Sequence, residues 1–340
     1  MKRHRHIARH APRAGRIAQT PILFELLEPR VMRTVVTAPP IPGDVNADGV
    51  VDIVDLTTIS QKWQQSAAAP LDQNGDGVID IVDYTNVAIH WQQTIYDGRV
   101  VVDGGIMNVW VPDPVDTGAS WTATANQLYG PAGKPSLNDI QSENPDDSYL
   151  LGAIAALGAA RPAAISNNIS DDGTGWAVFF DGSKTGQPSV VIHVSRHFSD
   201  AFQQQVPGAG VWWEVVEKAY AYYRTYDGTS SQNSFASLAG GDEQTVLLQF
   251  GQGSAEADYT NHPVETVIAQ VQTAVAAGKP VLFRTFGAAP LMTPDHTYVV
   301  LSVSGSPDNL SVTTYDPEGF YDFWSLNDLL PNGVGFIIGT

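Results

Sequence analysis

The chain of 340 residues contains no cysteine. Disulfides, thiolate zinc sites and a cysteine nucleophile are therefore excluded. A chain this long can fold without disulfides, so an oxidising compartment stays open to it. No apolar run approaches the ~18 residues that a membrane span needs. Positive charge is scarce beyond Arg33. Of 18 Lys and Arg, eight stand in the head: Lys2, Arg3, Arg5, Arg9, Arg13, Arg16, Arg30 and Arg33. Ten remain to face most of the 36 Asp and Glu, and the net charge is −18. An acidic body of this kind is a poor candidate for nucleic-acid binding, and no nucleic-acid partner is expected. The basic head reads as a targeting or processed segment.

The length suggests two or three domains. A hydrophobic content of 43% supports a sizeable core. We divide the chain into a basic head (1–40), a small module (41–95), a linker (96–111) and a larger domain (112–340). Within the head, FELLEPRVM at residues 24–32 is similar to a short motif near the N-terminus of many exported planctomycete surface proteins. That resemblance implies an extracellular or cell-surface location.

The small module is a duplication. DVNADGVVDIVDLTTISQKWQQ begins at Asp44, and DQNGDGVIDIVDYTNVAIHWQQ begins at Asp72. Each copy opens with oxygen ligands at EF-hand spacing. Asp44, Asn46, Asp48, Asp52 and Asp55 hold loop positions one, three, five, nine and twelve, and Asp72, Asn74, Asp76, Asp80 and Asp83 repeat them. Gly49 and Gly77 fall at position six, where the chain turns sharply. Val50 and Val78 at position seven supply backbone carbonyls. A hard cation that takes six to eight oxygens, calcium, suits this set, and the spacing predicts two Ca²⁺ sites.

Position twelve is Asp rather than Glu, no helix precedes either loop, and each repeat ends in a helix closing with Trp-Gln-Gln. In these respects the module resembles a type I dockerin. The resemblance implies a cohesin-like or other extracellular protein partner. After position nine the chain has Ile53-Val54 and Ile81-Val82, where cohesin-binding types often have Ser or Thr. These apolar pairs either pack the two loops together or meet a different partner. A core this small and acidic predicts a module that needs calcium to fold.

In the larger domain, AVFFDG, SVVIHV, PVLFRT, TYVVLSV, LSVTTY and VGFIIG read as strands. YLLGAIAALGA, VWWEVVEKAYAYYR and PVETVIAQVQTAVAAG show helical periodicity. Helices dominate early and strands late, which predicts an α+β fold with a mostly antiparallel sheet.

DDSYLLGAIAALGAARP, residues 146–162, reads as a loop entering a buried helix with Ser148 at its start. A nucleophile there benefits from the helix dipole. The segment resembles that around the catalytic cysteine of the calpain family, with Ser148 in the cysteine's place. GKPSLNDIQ ahead of it, GVWWEVVEKAYAYYR with the later Gly240-Gly241, Asp295-His296-Thr297-Tyr298 before a strand, and Tyr315-Asp316-Pro317-Glu318-Gly319 after the next follow the family's order. The resemblance implies a papain-like calpain catalytic-type domain with Ser148, His296 and Asp316 at the nucleophile, base and orienting positions. It places Ser142 at the oxyanion Gln, with Gln141 one residue away. The family's Gly two residues before the nucleophile is here Asp146, the Trp after it is Tyr149, and the Trp that shields the orienting residue is Glu318.

Serine needs concerted base assistance where a thiolate does not. Ser-His-Asp nonetheless has the composition of a serine-hydrolase triad. Asp146 and Asp147 suit a helix N-cap, but their charge opposes an oxyanion. Three functional expectations follow. One is a degenerate calpain-type domain that binds polypeptide without cutting it. A second is an active endopeptidase using Ser148, His296 and Asp316. The third is an adapter whose role lies in the dockerin-like module. Ser148, His296 and Asp316 also have plain structural roles open to them as a helix cap, a core histidine and a turn former.

Overall fold

The computed structural model describes residues 43–46, 51, 53–67, 70–90, 100–103, 106–116, 118–141, 145–199, 208–259 and 261–340. The basic head (1–40) lies outside them.

The duplicated module contributes two short helices, α1 (Ile53–Gln61) and α2 (Ile81–Ile89). A capping box starts α2: the Asp80 side chain accepts the Val82 N–H at 2.8 Å, and Asp83 accepts the Asp80 N–H at 2.9 Å. Val45, Val51, Ile59, Ile79 and Val87 form its apolar centre, and an antiparallel bridge joins Ser66 to Val78.

The larger domain runs β1 (Val100–Asp103), β2 (Ile106–Trp110), β3 (Trp121–Ala123), α3 (Ser148–Ala160), α4 (Pro162–Ser166), β4 (Ile169–Asp171), β5 (Gly175–Phe180), β6 (Val190–Ser195), β7 (His197–Ser199) and α5 (Trp212–Tyr226). It continues with α6 (Glu243–Gln249), β8 (Ser254–Asp258), α7 (Val264–Ala276), β9 (Val281–Thr285), β10 (Thr297–Ser304), β11 (Ser311–Asp316), β12 (Phe320–Ser325), α8 (Leu326–Leu329) and β13 (Gly333–Gly339). One sheet has the order β1-β2-β6-β5-β4 and is antiparallel except for the parallel pair β2–β6. The other has the order β12-β11-β10-β9-β13-β8 and is antiparallel throughout. The pair β3–β7 stands apart.

The α+β class holds, with two corrections. Residues 96–111, expected as a linker, contain β1 and β2, and Val109 and Trp110 of β2 are buried beside β6. The early half is not simply helical, because it also builds the five-stranded sheet.

The six-stranded sheet explains why its strands read as unbroken apolar runs. Leu282, Val299, Tyr315 and Ile337 point to one face and join the core around α3 and α5. Their neighbours Phe283, Tyr298, Val300, Val312 and Phe336 point to the other face, with Val267, Ile268 and Val271 of α7. Successive strand residues alternate faces, so a sheet covered on both sides must be apolar at each of these positions. α3 is buried from Ser148 through Gly158. Gly152 permits its close approach to the sheet: a Cβ there would lie 2.8 Å from Thr297 Cγ2. This contact brings the start of α3 to the start of β10. Among the described residues, no helix is long and apolar enough to cross a membrane.

Candidate functional site

The start of α3, the start of β10 and the end of β11 converge. His296, just before β10, pairs through Nε2 with Asp316 Oδ1 at 2.9 Å. His296 is fixed on its backbone side as well, since its N–H donates to Thr285 Oγ1 at 2.9 Å and its carbonyl accepts the Thr285 N–H at 2.9 Å. Asp316 closes the turn after β11. Its carboxylate accepts the Glu318 N–H at 2.9 Å, and its carbonyl accepts the Gly319 N–H at 2.8 Å. Asp316 is thus both a turn former and the partner of His296.

Ser148 is the first residue of α3 and is 4% exposed. Its hydroxyl accepts the Thr297 backbone N–H at 3.2 Å. It does not cap the helix, and among the described residues it makes no hydrogen bond to His296. The His296 ring is 1% exposed. A cleft of about 600 Å³ opens beside Ser148, lined by Tyr149, Gly241, Glu243, Arg284, Asp295 and Thr297 among others. The residues on either side of His296 line this cleft, and the ring itself does not. Asp295 has φ +49, an uncommon conformation for a non-glycine residue. Its carboxylate packs against Gly287, where a Cβ would lie 2.8 Å from Oδ2.

The N-cap expectation for Asp146 and Asp147 does not hold. Asp147 occupies the N-cap position without a side-chain capping bond. Its carboxyl instead turns into the core beside Glu217 of α5, and both residues are fully buried. Burial first, then the Glu217 charge and hydrogen bond, hold the Asp147 carboxyl well above the usual carboxylate range. The Asp147 carboxyl faces away from the cleft, and Asp146 is the exposed carboxylate that lines it. Burial also pushes the nearby-in-sequence Glu214 up to about 8.

Reading the sequence missed Thr297, Glu243 and Glu217. Glu243 is 1% exposed, accepts the Thr297 hydroxyl and meets Arg284 Nη1 at 3.4 Å. For Glu217 a signal was present: it falls on the apolar stripe Trp213–Glu217–Tyr220 of α5, an unusual place for a carboxyl. Tyr149 packs its ring on Gly241, where a Cβ would be 2.1 Å away, and accepts a hydrogen bond from Arg224 at 2.8 Å. Ser142 lies outside the described residues. Gln141 is described, with its Cγ beside Gly319 in the turn after Asp316.

In the duplicated module the two loops fold alike at their ends. Asp55 Oδ1 accepts the N–H groups of Val45 and Asn46 at 2.9 and 3.2 Å. Asp83 Oδ1 accepts those of Gln73 and Asn74 at 2.6 and 3.3 Å. Both aspartates are fully buried in the first turns of α1 and α2. In the second loop Asp72 accepts Gly75, Asp76 and Gly77 N–H groups, and Gly77 has φ +87 as position six requires. Asn74, Asp76, Val78 and Asp80 complete this loop. Asp44 and Asn46 begin the first one, whereas Asp48, Gly49, Val50 and Asp52 lie outside the described residues. The apolar pairs do not pack the loops together: Ile53, Val54, Ile81 and Val82 are 62, 48, 59 and 44% exposed.

Residues 42–90 match the family model described as Dockerin type I domain. A comparison with curated proteins finds no match.

Proposed function

We propose that the chain is an exported, calcium-binding protein whose dockerin-type module attaches a calpain-like domain to an extracellular protein partner, and that this domain holds polypeptide without cutting it. The tethering half rests on the dockerin match over residues 42–90. Calcium would be held by Asp44, Asn46, Asp48, Val50, Asp52 and Asp55 in one loop, and by Asp72, Asn74, Asp76, Val78, Asp80 and Asp83 in the other. These donors are all oxygens, and their mutual repulsion calls for a hard cation. The partner would be of cohesin type but would meet apolar ground. Ile53-Val54 and Ile81-Val82 form two equivalent exposed patches, one at the start of each helix.

The observation that carries the non-cutting half is the position of Ser148. Its hydroxyl bonds to Thr297 N–H, and His296 lies buried behind the cleft wall. A serine nucleophile needs a base within hydrogen-bond reach. A second reading, an active Ser148-His296-Asp316 endopeptidase, draws support from the 2.9 Å His296–Asp316 pair and from Ser148 at a helix start beside an open cleft.

Hydrolysis of an unstructured protein in millimolar calcium by wild type, Ser148→Cys and His296→Ala separates the two. The proposal expects wild type to be inert yet to retain the polypeptide in a binding assay. Hydrolysis that is lost in His296→Ala, or fluorophosphonate labelling of Ser148, would establish the peptidase. Attachment is tested by capture of cohesin modules with the full chain, with and without chelator, against Ile53→Asp/Ile81→Asp. Capture insensitive to both would remove the tethering reading.

A further inference from the structure

The turn after β11 carries a feature that neither reading uses. His296, Asp316 and Glu318 each offer one ligand atom, and the three atoms lie within 4.8 Å of one another. His296 and Asp316 are buried, and Glu318 is half-buried at the rim. The turn itself delivers Glu318: its N–H is held on Asp316 Oδ1, and Gly319 follows at φ +103, a conformation that suits glycine. A further carboxyl, Asp322, stands on β12 opposite Thr314, within electrostatic reach of Asp316.

A second carboxylate next to Asp316 is a poor companion for a His-Asp pair built only to orient an imidazole. Two negative charges brought together in a partly buried site are costly unless a cation compensates them. One imidazole nitrogen with two carboxylates is a donor set that suits a borderline-soft divalent ion. The spacing is near that of a metal site as well. Two ligand atoms each about 2.1 Å from a tetrahedral zinc lie about 3.4 Å apart, and His296 Nε2 and Asp316 Oδ1, now hydrogen-bonded at 2.9 Å, need to part by only about half an ångström.

We infer that His296, Asp316 and Glu318 form a zinc-binding site, taking Zn²⁺ through Nε2 and one oxygen from each carboxylate, with water as the remaining ligand. Zinc on Nε2 displaces the proton that lies between Nε2 and Asp316; the imidazole stays neutral with its one N–H on Nδ1, and the displaced proton passes to solvent when Nδ1 already carries one. The ion ties β10 to the turn between β11 and β12. Its nitrogen ligand sets it apart from the all-oxygen dockerin loops, which select calcium.

The test uses the full chain with His4→Ala, His6→Ala and His10→Ala, which removes the histidines of the basic head as competing ligands. Millimolar calcium keeps the loops filled. Chelator-stripped protein is titrated with Zn²⁺ by calorimetry and with Co²⁺ by visible absorption. The expected result is uptake of one zinc ion per chain with a Co²⁺ ligand-field band. Glu318→Gln should weaken binding about tenfold or more, and His296→Ala should abolish the band. Glu318 is only half-buried, so Glu318→Gln decides the matter even where His296→Ala disturbs folding. Absence of zinc uptake, or uptake unchanged in Glu318→Gln, overturns the site.

Discussion

The backbone N–H of Thr297 donates to the Ser148 hydroxyl at 3.2 Å, joining residues 149 positions apart. The neighbouring turn of α3 depends on the same residue, because Gly152 leaves room for the Thr297 side chain. The start of α3 is therefore set against β10 by one threonine, through its backbone at Ser148 and its methyl group at Gly152.

Gly152→Ala tests this seating. The added Cβ would meet Thr297 Cγ2 at 2.8 Å on a packed helix and strand. Overpacking of this kind costs about 1–3 kcal/mol. Thr297→Ser removes the opposing methyl, so the double variant should recover much of the loss. Urea denaturation of the four proteins reads the coupling, and additive losses would show that the contact is not the cause.

The buried acids predict a pH dependence. Folding raises Glu214 from 4.5 to about 8 and raises Asp147 in the same direction. A group raised on folding holds more protons in the folded state between its two pKa values. For Glu214 the contribution is complete below about 4.5 and is lost as pH climbs towards 8, by about 1.4 kcal/mol per pH unit; Asp147 acts in the same direction. Thermal melts should therefore fall from pH 5 to pH 8. Glu214→Gln, which stays neutral, should flatten that fall, and an unchanged slope in the variant would assign it elsewhere.

Calcium removal should unfold the duplicated module. Its apolar centre is small, and Asp72, Asp76, Asp80 and Asp83 crowd one loop. Calcium at a hundredfold excess over its Kd stabilises the folded form by about 2.7 kcal/mol per site. EDTA should reduce helical circular dichroism, and excess calcium should restore it. Asp83→Ala should blunt the response, and resistance of wild type to chelation would contradict it.

Lys218 anchors the five-stranded sheet to α5. Its ammonium is fully buried, ion-pairs with Asp113, and donates to Ser195 Oγ and the His197 carbonyl, both at 2.7 Å. Lys218→Met leaves Asp113 with only the Ser195 hydroxyl and the His197 ring and, because Asp113 is partly exposed, should cost less than the ~3–5 kcal/mol of a fully buried pair. Lys218→Met/Asp113→Asn should cost less, and chemical denaturation compares the two.

The dockerin-type module was legible because the oxygen-bearing residues of each loop sit within twelve consecutive positions and the duplication repeats the pattern. The strands of the six-stranded sheet were legible where both faces are covered, as at Val281–Thr285. β8 was not: Ser254–Asp258 is short, acidic and at a sheet edge, so little burial marks its sequence. β12 hid for a related reason, since its edge position leaves Phe320, Tyr321 and Phe323 exposed and breaks the alternation.

The sequence by itself determined the local chemistry of this protein: no thiol, two oxygen-rich loops, a serine at a helix start, and a histidine and an aspartate flanking strands. Tertiary structure decided what those groups face. It turned Asp147 inward to Glu217, exposed Ile53 and Ile81, set His296 on Asp316 while Ser148 took Thr297, and brought Glu318 to the same histidine. These outcomes depend on which distant segments pack together, and burial and charge pairing follow from that packing rather than from residue type.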